Sequence, residues 1–111
     1  MEQSSVVFEY TFTAKFCIEH IVSFLRNADV EPRPIIEELL TQFESRVGQF
    51  PLGSQICPEL VKIGCAKYRE FNSAGGYRVL YSVEEHCVTA HAILSQRQDI
   101  KQLLFKRLIQ P

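Results

Sequence analysis

Lys67-Tyr68-Arg69-Glu70-Phe71-Asn72-Ser73-Ala74-Gly75-Gly76-Tyr77-Arg78-Val79-Leu80-Tyr81-Ser82-Val83 carries the signal that decides the fold. Its apolar residues recur with a period of two, as in strands with one buried face. Lys67 to Asn72 reads as one strand. Ser73 to Gly76 is a turn built from residues that tolerate positive φ. Tyr77, Val79, Tyr81 and Val83 line one face of the next strand, and Arg78 and Leu80 lie on the other. Glu84-Glu85-His86 makes a second turn, and Cys87 to Leu94 a third, more buried strand.

Upstream the period changes. Cys17, Ile21, Phe24, Leu25 and Ala28 fall on one helical stripe, with Thr13 able to cap it. Asp29 to Pro34 breaks the pattern, and Pro34 suits a first helical turn. Ile36, Leu39, Leu40, Phe43 and Val47 form a second stripe, with Gly48 as its C-terminal cap. Val6, Phe8 and Tyr10 alternate as a strand ahead of both helices. Residues 49–64, punctuated by Pro51, Gly53, Pro58 and Gly64, read as a connector. Asp99 is a good N-cap for a last helix with Ile100, Leu103, Leu104 and Leu108 on its apolar side.

The predicted class is α+β: an N-terminal strand, a helical hairpin, an antiparallel three-strand meander and a C-terminal helix. With 111 residues and no linker or repeat, 1–111 reads as a single domain. The hairpin should cover one face of the sheet and leave the other free to bind. At 46% hydrophobic and 23% charged the composition is that of a soluble globular chain. No apolar run reaches the ~20 residues of a membrane span. The start of the chain lacks a basic, apolar secretory pattern, so the expected location is cytoplasmic. The four cysteines form no C-x-x-C pair and match no zinc spacing, so reduced buried thiols, no metal and no cofactor are expected. The net charge of −1 hides an asymmetry. Residues 1–60 hold four Lys/Arg against nine Asp/Glu, and residues 61–111 hold eight against four. A basic second half suits an acidic partner.

Two stretches carry a resemblance. Tyr68-Arg69-Glu70-Phe71 leads across Gly75-Gly76 into Tyr77-Arg78-Val79-Leu80-Tyr81. Ile93-Leu94-Ser95-Gln96-Arg97-Gln98-Asp99 leads into Leu103-Leu104 and Lys106-Arg107-Leu108. With the element order, this pattern resembles the RelE/ParE toxin superfamily of type II toxin–antitoxin systems. The resemblance implies a toxin silenced by a cognate antitoxin in a hetero-oligomer, whose promoter binding belongs to the antitoxin and not to this chain. It implies no membrane association. One branch of the family cleaves messenger RNA in the ribosomal A site. The other poisons DNA gyrase and has no known nuclease chemistry.

Cleavage through the 2′-hydroxyl needs a base, cations around the phosphorane and an acid for the leaving oxygen. The nuclease reading would draw on Lys67, Arg69, Arg78, His91 and Arg97. Where such nucleases place Tyr or His in the last helix, this chain has Leu103, Leu104 and Phe105. A pI near 6.3 is also a poor match to a ribosome-binding protein. Arg97-Gln98-Asp99-Ile100 and Lys106-Arg107-Leu108 look closer to the ParE branch, although Ser95 stands where that branch often has His. On that reading the toxin inhibits gyrase. Arg69, Tyr77, Arg78, Arg97, Asp99, Lys106 and Arg107 would then contact the target or the antitoxin. Three of them also have a structural reading: Arg69 paired with Glu70 or Glu84 across the hairpin, Arg78 lying over Leu80, Arg97 stacked on a strand end or bonded to Asp99.

Overall fold

The computed structural model describes residues 6–95. Strand β1 (Val7–Tyr10) runs into helix α1 (Phe12–Asn27) and then α2 (Pro32–Gln49). A long connector holding the short helix α3 (Pro58–Val61) leads to β2 (Arg69–Asn72), β3 (Tyr77–Glu84) and β4 (Cys87–Ser95). The sheet order is β1-β4-β3-β2. The meander β2-β3-β4 is antiparallel, and β1 joins it parallel to β4, with Val7 opposite Cys87 and Tyr10 opposite Ala90. This is the predicted α+β arrangement. The predicted C-terminal helix lies outside the described residues.

Several boundaries differ from expectation. Thr11, not Thr13, caps α1: its hydroxyl accepts from Ala14 N at 3.1 Å and donates to the carbonyl of His91 at 3.2 Å. One side chain thus starts the helix and ties it to β4. Asp29, at φ 60, ends the turn after α1, and α2 begins at Pro32, inside the predicted break, with Pro34 in its first turn as expected. Gly48 lies inside α2 and is not its cap. A Cβ there would meet the Phe8 ring at 3.6 Å, an ordinary van der Waals contact, so β1 packs on α2 at this point without requiring glycine. On α1, Ala14, Cys17, Ile21 and Leu25 are buried, whereas Phe24 and Ala28 of the predicted stripe are exposed.

The core beneath the hairpin centres on Phe43. Its ring meets Phe8, Phe71 and Tyr81 at 5.6–5.8 Å and Tyr10 at 6.3 Å, in edge or tilted contacts. The Tyr10 hydroxyl donates to Glu44 and fixes β1 to α2. Burial and the adjacent carboxylate both push the Tyr10 phenol far above its ordinary range.

The opposite face of the sheet is not free. The connector follows the β2 edge, where Ile56 bridges Arg69, Cys57 N donates to Tyr68 O and Glu70 N donates to Gln55 O. Glu59 of α3 then reaches Arg78, and Tyr68 reaches His91. Cys57, Leu60, Leu80, Ala92 and Leu94 are all buried.

The β3–β4 hairpin closes on Glu85-His86, with Glu85 at φ 57. A left-handed conformation costs a non-glycine residue about 1–2 kcal/mol, and glycine gives back roughly 0.4–1 kcal/mol through its freer unfolded chain. Glu85→Gly should therefore raise stability by about 0.5–1 kcal/mol in thermal or denaturant unfolding. A loss of stability would mean that the Glu85 side chain supports the hairpin.

Candidate functional site: a buried guanidinium and a half-buried histidine

Among the described residues, the basic residues predicted to form one cationic surface are divided between three settings. Arg78 lies under α3. Its Nη1 is 3.0 Å from Glu70 Oε1 and its Nη2 is 3.3 Å from Glu59 Oε2. The Arg78 side chain is 15% exposed and that of Glu70 is 5% exposed, so this ion pair sits largely out of water. Glu70 also accepts from Gln55 Nε2 at 2.7 Å and Asn72 Nδ2 at 3.3 Å, both on Oε2. At Glu59, partial burial pushes the carboxyl pKa up, but its own backbone N–H and Arg78 outweigh burial and hold it below the ordinary value. Cys57 donates its thiol to Glu59 Oε1 at 3.5 Å. Burial, with the two carboxylates adding, pushes that thiol up, so it stays protonated.

The ligand atoms of Cys57, Glu59 and Glu70 lie within 4.8 Å of one another, a spacing that could hold a metal ion. The guanidinium of Arg78 already spans both carboxylates. The cluster therefore carries its own cation, and a divalent ion would have to displace it.

Arg69 is directed elsewhere. Its Nη1 donates to the carbonyls of Ser54 at 2.6 Å and Leu52 at 3.4 Å, and it pairs with neither Glu70 nor Glu84. The Tyr81 hydroxyl donates to Pro51 O at 3.0 Å, so both side chains pin the connector. Tyr77 closes the tight turn: its N–H donates to Ser73 Oγ at 3.2 Å, and its carbonyl accepts from Ser73 N at 2.8 Å. It also lines a cavity of about 340 Å³ with Ile35, Leu39 and Gln42.

Lys67 and His91 do come together. Leu80 opposes Ala92 and Tyr81 opposes Ala90, so His91 is the extra residue of a β-bulge. The bulge brings its ring onto Ser82, with Nε2 2.8 Å from Oγ, and edge-on to Tyr68 at 4.9 Å between centroids. Lys67 Nζ stands 5.6 Å from the centre of the Tyr68 ring. Burial first, then the Lys67 charge, lowers the His91 pKa from 6.5, so the imidazole is neutral at pH 7. A neutral imidazole beside a hydroxyl can take a proton, and the nearby ammonium can stabilise a developing anion.

A group with a lowered folded pKa binds fewer protons in the folded state, so stability falls as pH drops below 6.5. In an NMR titration the His91 midpoint should lie below 6.5, and Lys67→Met should move it upward. An unchanged midpoint would remove Lys67 from the environment of His91.

Sequence reasoning missed Glu59, Tyr68 and Ser82 as partners of these groups. The period-two pattern does place Ser82 on the Arg78 side of β3, but nothing in it brings α3 beneath the sheet. Arg97, Asp99, Lys106 and Arg107 lie outside the described residues.

No protein-family model matches the chain, and no curated protein matches it. Among solved structures it is similar to a chain of the "Chromosomal ParDE TA system from P. aeruginosa", with a TM-score of 0.57 over 82% of this chain and 96% of that one. The two are 10% identical, so what they share is the fold. A parallel β1, a helical hairpin and an antiparallel meander thus make a RelE/ParE-like fold. Among the described residues, no helix is long and apolar enough to cross a membrane.

Proposed function

We propose that this chain is the toxic component of a type II toxin–antitoxin pair, that it acts inside the cell on DNA gyrase, and that a cognate antitoxin neutralises it. The observation that carries this reading is the fold shared along nearly the whole of a ParDE system chain. The settings of the basic residues support a binding role over RNA cleavage. Arg78 and Arg69 hold the connector in place and are not presented around an open phosphate site. On this reading the contacts with target or antitoxin fall to other groups. Arg97, Asp99, Lys106 and Arg107 are the candidates that the sequence supplies.

A second reading, ribosome-dependent cleavage of messenger RNA, is favoured by one observation. His91, Ser82, Tyr68 and Lys67 bring a neutral base, a hydroxyl and a cation together.

Induced expression separates the two. Gyrase poisoning predicts growth arrest with a DNA-damage response, and inhibited supercoiling by purified gyrase. Cleavage predicts arrest with messages cut at the A site, abolished by His91→Ala. Absence of arrest in either form would leave a protein-binding adaptor.

A further inference from the structure

We infer that the end of α3 and the loop after it, Val61 to Lys67, form a docking surface for an acidic, apolar peptide segment; under the proposed function this segment belongs to the antitoxin. The surface is built from exposed side chains. Val61 is 46% and Ile63 56% exposed, and Lys62 and Lys67 are exposed on either side of Ile63 along the chain. Ile56, 38% exposed, stands farther back on the connector, bridged to Arg69, and Cys57 N is bonded to Tyr68 O beside Lys67. Contiguous exposed apolar side chains mark interaction sites, and Val61 and Ile63 stand two residues apart in this segment.

The charge balance identifies the occupant. Residues 6–95 carry eight Lys/Arg against eleven Asp/Glu, a balance of −3. Within 50–67 the charged residues are Glu59, Lys62 and Lys67, and Glu59 is held by Arg78. Among the described residues neither ammonium is in an ion pair. An acidic body thus bears a local cationic, apolar strip, which complements carboxylates set beside apolar side chains. Bases stack on aromatic rings, and Val61, Ile63 and Ile56 are aliphatic, so the strip fits a peptide better than a single-stranded nucleic acid.

The surface is also preorganised. Ile63 N donates to Leu60 O at 3.1 Å, Gly64 N to Val61 O at 2.9 Å and Cys65 N to Leu60 O at 2.8 Å. Gly64, at φ 86, supplies the left-handed residue that turns the chain there. Glu59 anchors the base of α3 through Arg78. A loop fixed before binding loses little entropy on binding.

The test uses the full chain, isotope-labelled for NMR, with three probes. Two are synthetic amphipathic peptides with the same leucines, one carrying glutamates and one lysines at its polar positions; the third is single-stranded oligouridine. The glutamate peptide should shift the amides of Val61, Lys62, Ile63 and Lys67 and bind about tenfold more tightly than the lysine peptide, or about 1.4 kcal/mol. Lys62→Glu with Lys67→Glu should reverse that preference, and Val61→Ser with Ile63→Ser should abolish binding, with unfolding midpoints unchanged. Equal binding of both peptides, binding at another surface, absence of binding, or oligouridine shifting the same amides as strongly would each overturn the inference. Growth arrest is read separately. A toxic chain that fails these titrations loses this surface but keeps the proposed function. A chain that binds here without arresting growth keeps the surface but loses the proposed function.

Discussion

Phe43→Ala should cost about 3–5 kcal/mol of folding stability, the range for truncating a buried phenylalanine. Phe43 is 0% exposed. It also joins more of the fold than any neighbour does. From α2 its ring contacts Phe8 and Tyr10 of β1, Phe71 of β2 and Tyr81 of β3. Those partners sit on three strands and on the hairpin-facing side of the sheet, so no single rotamer change can fill the space a methyl group leaves. Small domains have total stabilities of about 5–15 kcal/mol, so this one substitution should leave a substantial unfolded fraction. Guanidinium unfolding checks it, with the midpoint falling while the slope holds. Phe43→Leu, which keeps most of the volume, should lose far less, under about 1.5 kcal/mol for a volume-conserving change. Added benzene should raise the unfolding midpoint of the alanine variant and leave the native chain unmoved, because an apolar void of that size binds such ligands. A loss below about 1 kcal/mol would mean that the strands hold together without this ring.

Phe43 was legible in the sequence as part of a helical stripe, and so were Leu39 and Val47 beside it, because burial on one helix face imposes its own period. The strand order of the meander was legible for the same reason: Tyr77, Val79, Tyr81 and Val83 alternate, and glycines and acidic turns separate the strands. Long-range placement was not legible. No local pattern shows that residues 55–57 would follow the β2 edge, or that Glu59 of α3 would then reach Arg78 on the face the helices leave open. Four residues in a stretch rich in Pro and Gly have no periodicity to read, and their position is set by the burial of Cys57 and Leu60. The candidate site was therefore half visible. Lys67 and His91 were recognised separately, and the bulge that turns His91 onto Ser82 is a register event that sequence does not mark. Arg78 was recognised as basic, on a face taken to be open, when its environment depends on Glu59 arriving from a distant part of the chain.

That environment makes Arg78→Ala the second large effect, and it changes what the substitution can report. Were Arg78 only a contact residue, as the sequence suggests, its loss would relieve toxicity and leave folding intact. With Glu70 only 5% exposed at its side chain, removing the guanidinium leaves a buried carboxylate with no counter-charge. Breaking a buried pair from one side costs about 3–5 kcal/mol, far more than the pair contributes against an apolar replacement. Gln55 and Asn72 still donate to Glu70, and they soften the loss without supplying charge. Arg78→Lys should fall between native and alanine, since one ammonium cannot bridge both carboxylates as the fork of Arg78 does. Arg78→Met combined with Glu70→Gln should recover most of the stability, because neither partner is then left charged. The pH dependence supplies a further check. The lowered Glu59 carboxyl adds stability that is present above its unfolded value of 4.5 and is lost as pH falls through the lower folded one. The deficit of Arg78→Ala against the native chain should accordingly narrow in acid, as Glu59 takes up a proton and the missing cation matters less. A deficit that stays constant from pH 7 to pH 4 would show that packing of the arginine stem, not its charge, holds α3 on the sheet. In a growth assay, escape by Arg78→Ala therefore reports unfolding unless the variant's midpoint is measured alongside. Glu59→Gln, which leaves the Arg78–Glu70 pair in place, is the substitution that asks whether the tether to α3 itself matters for toxicity.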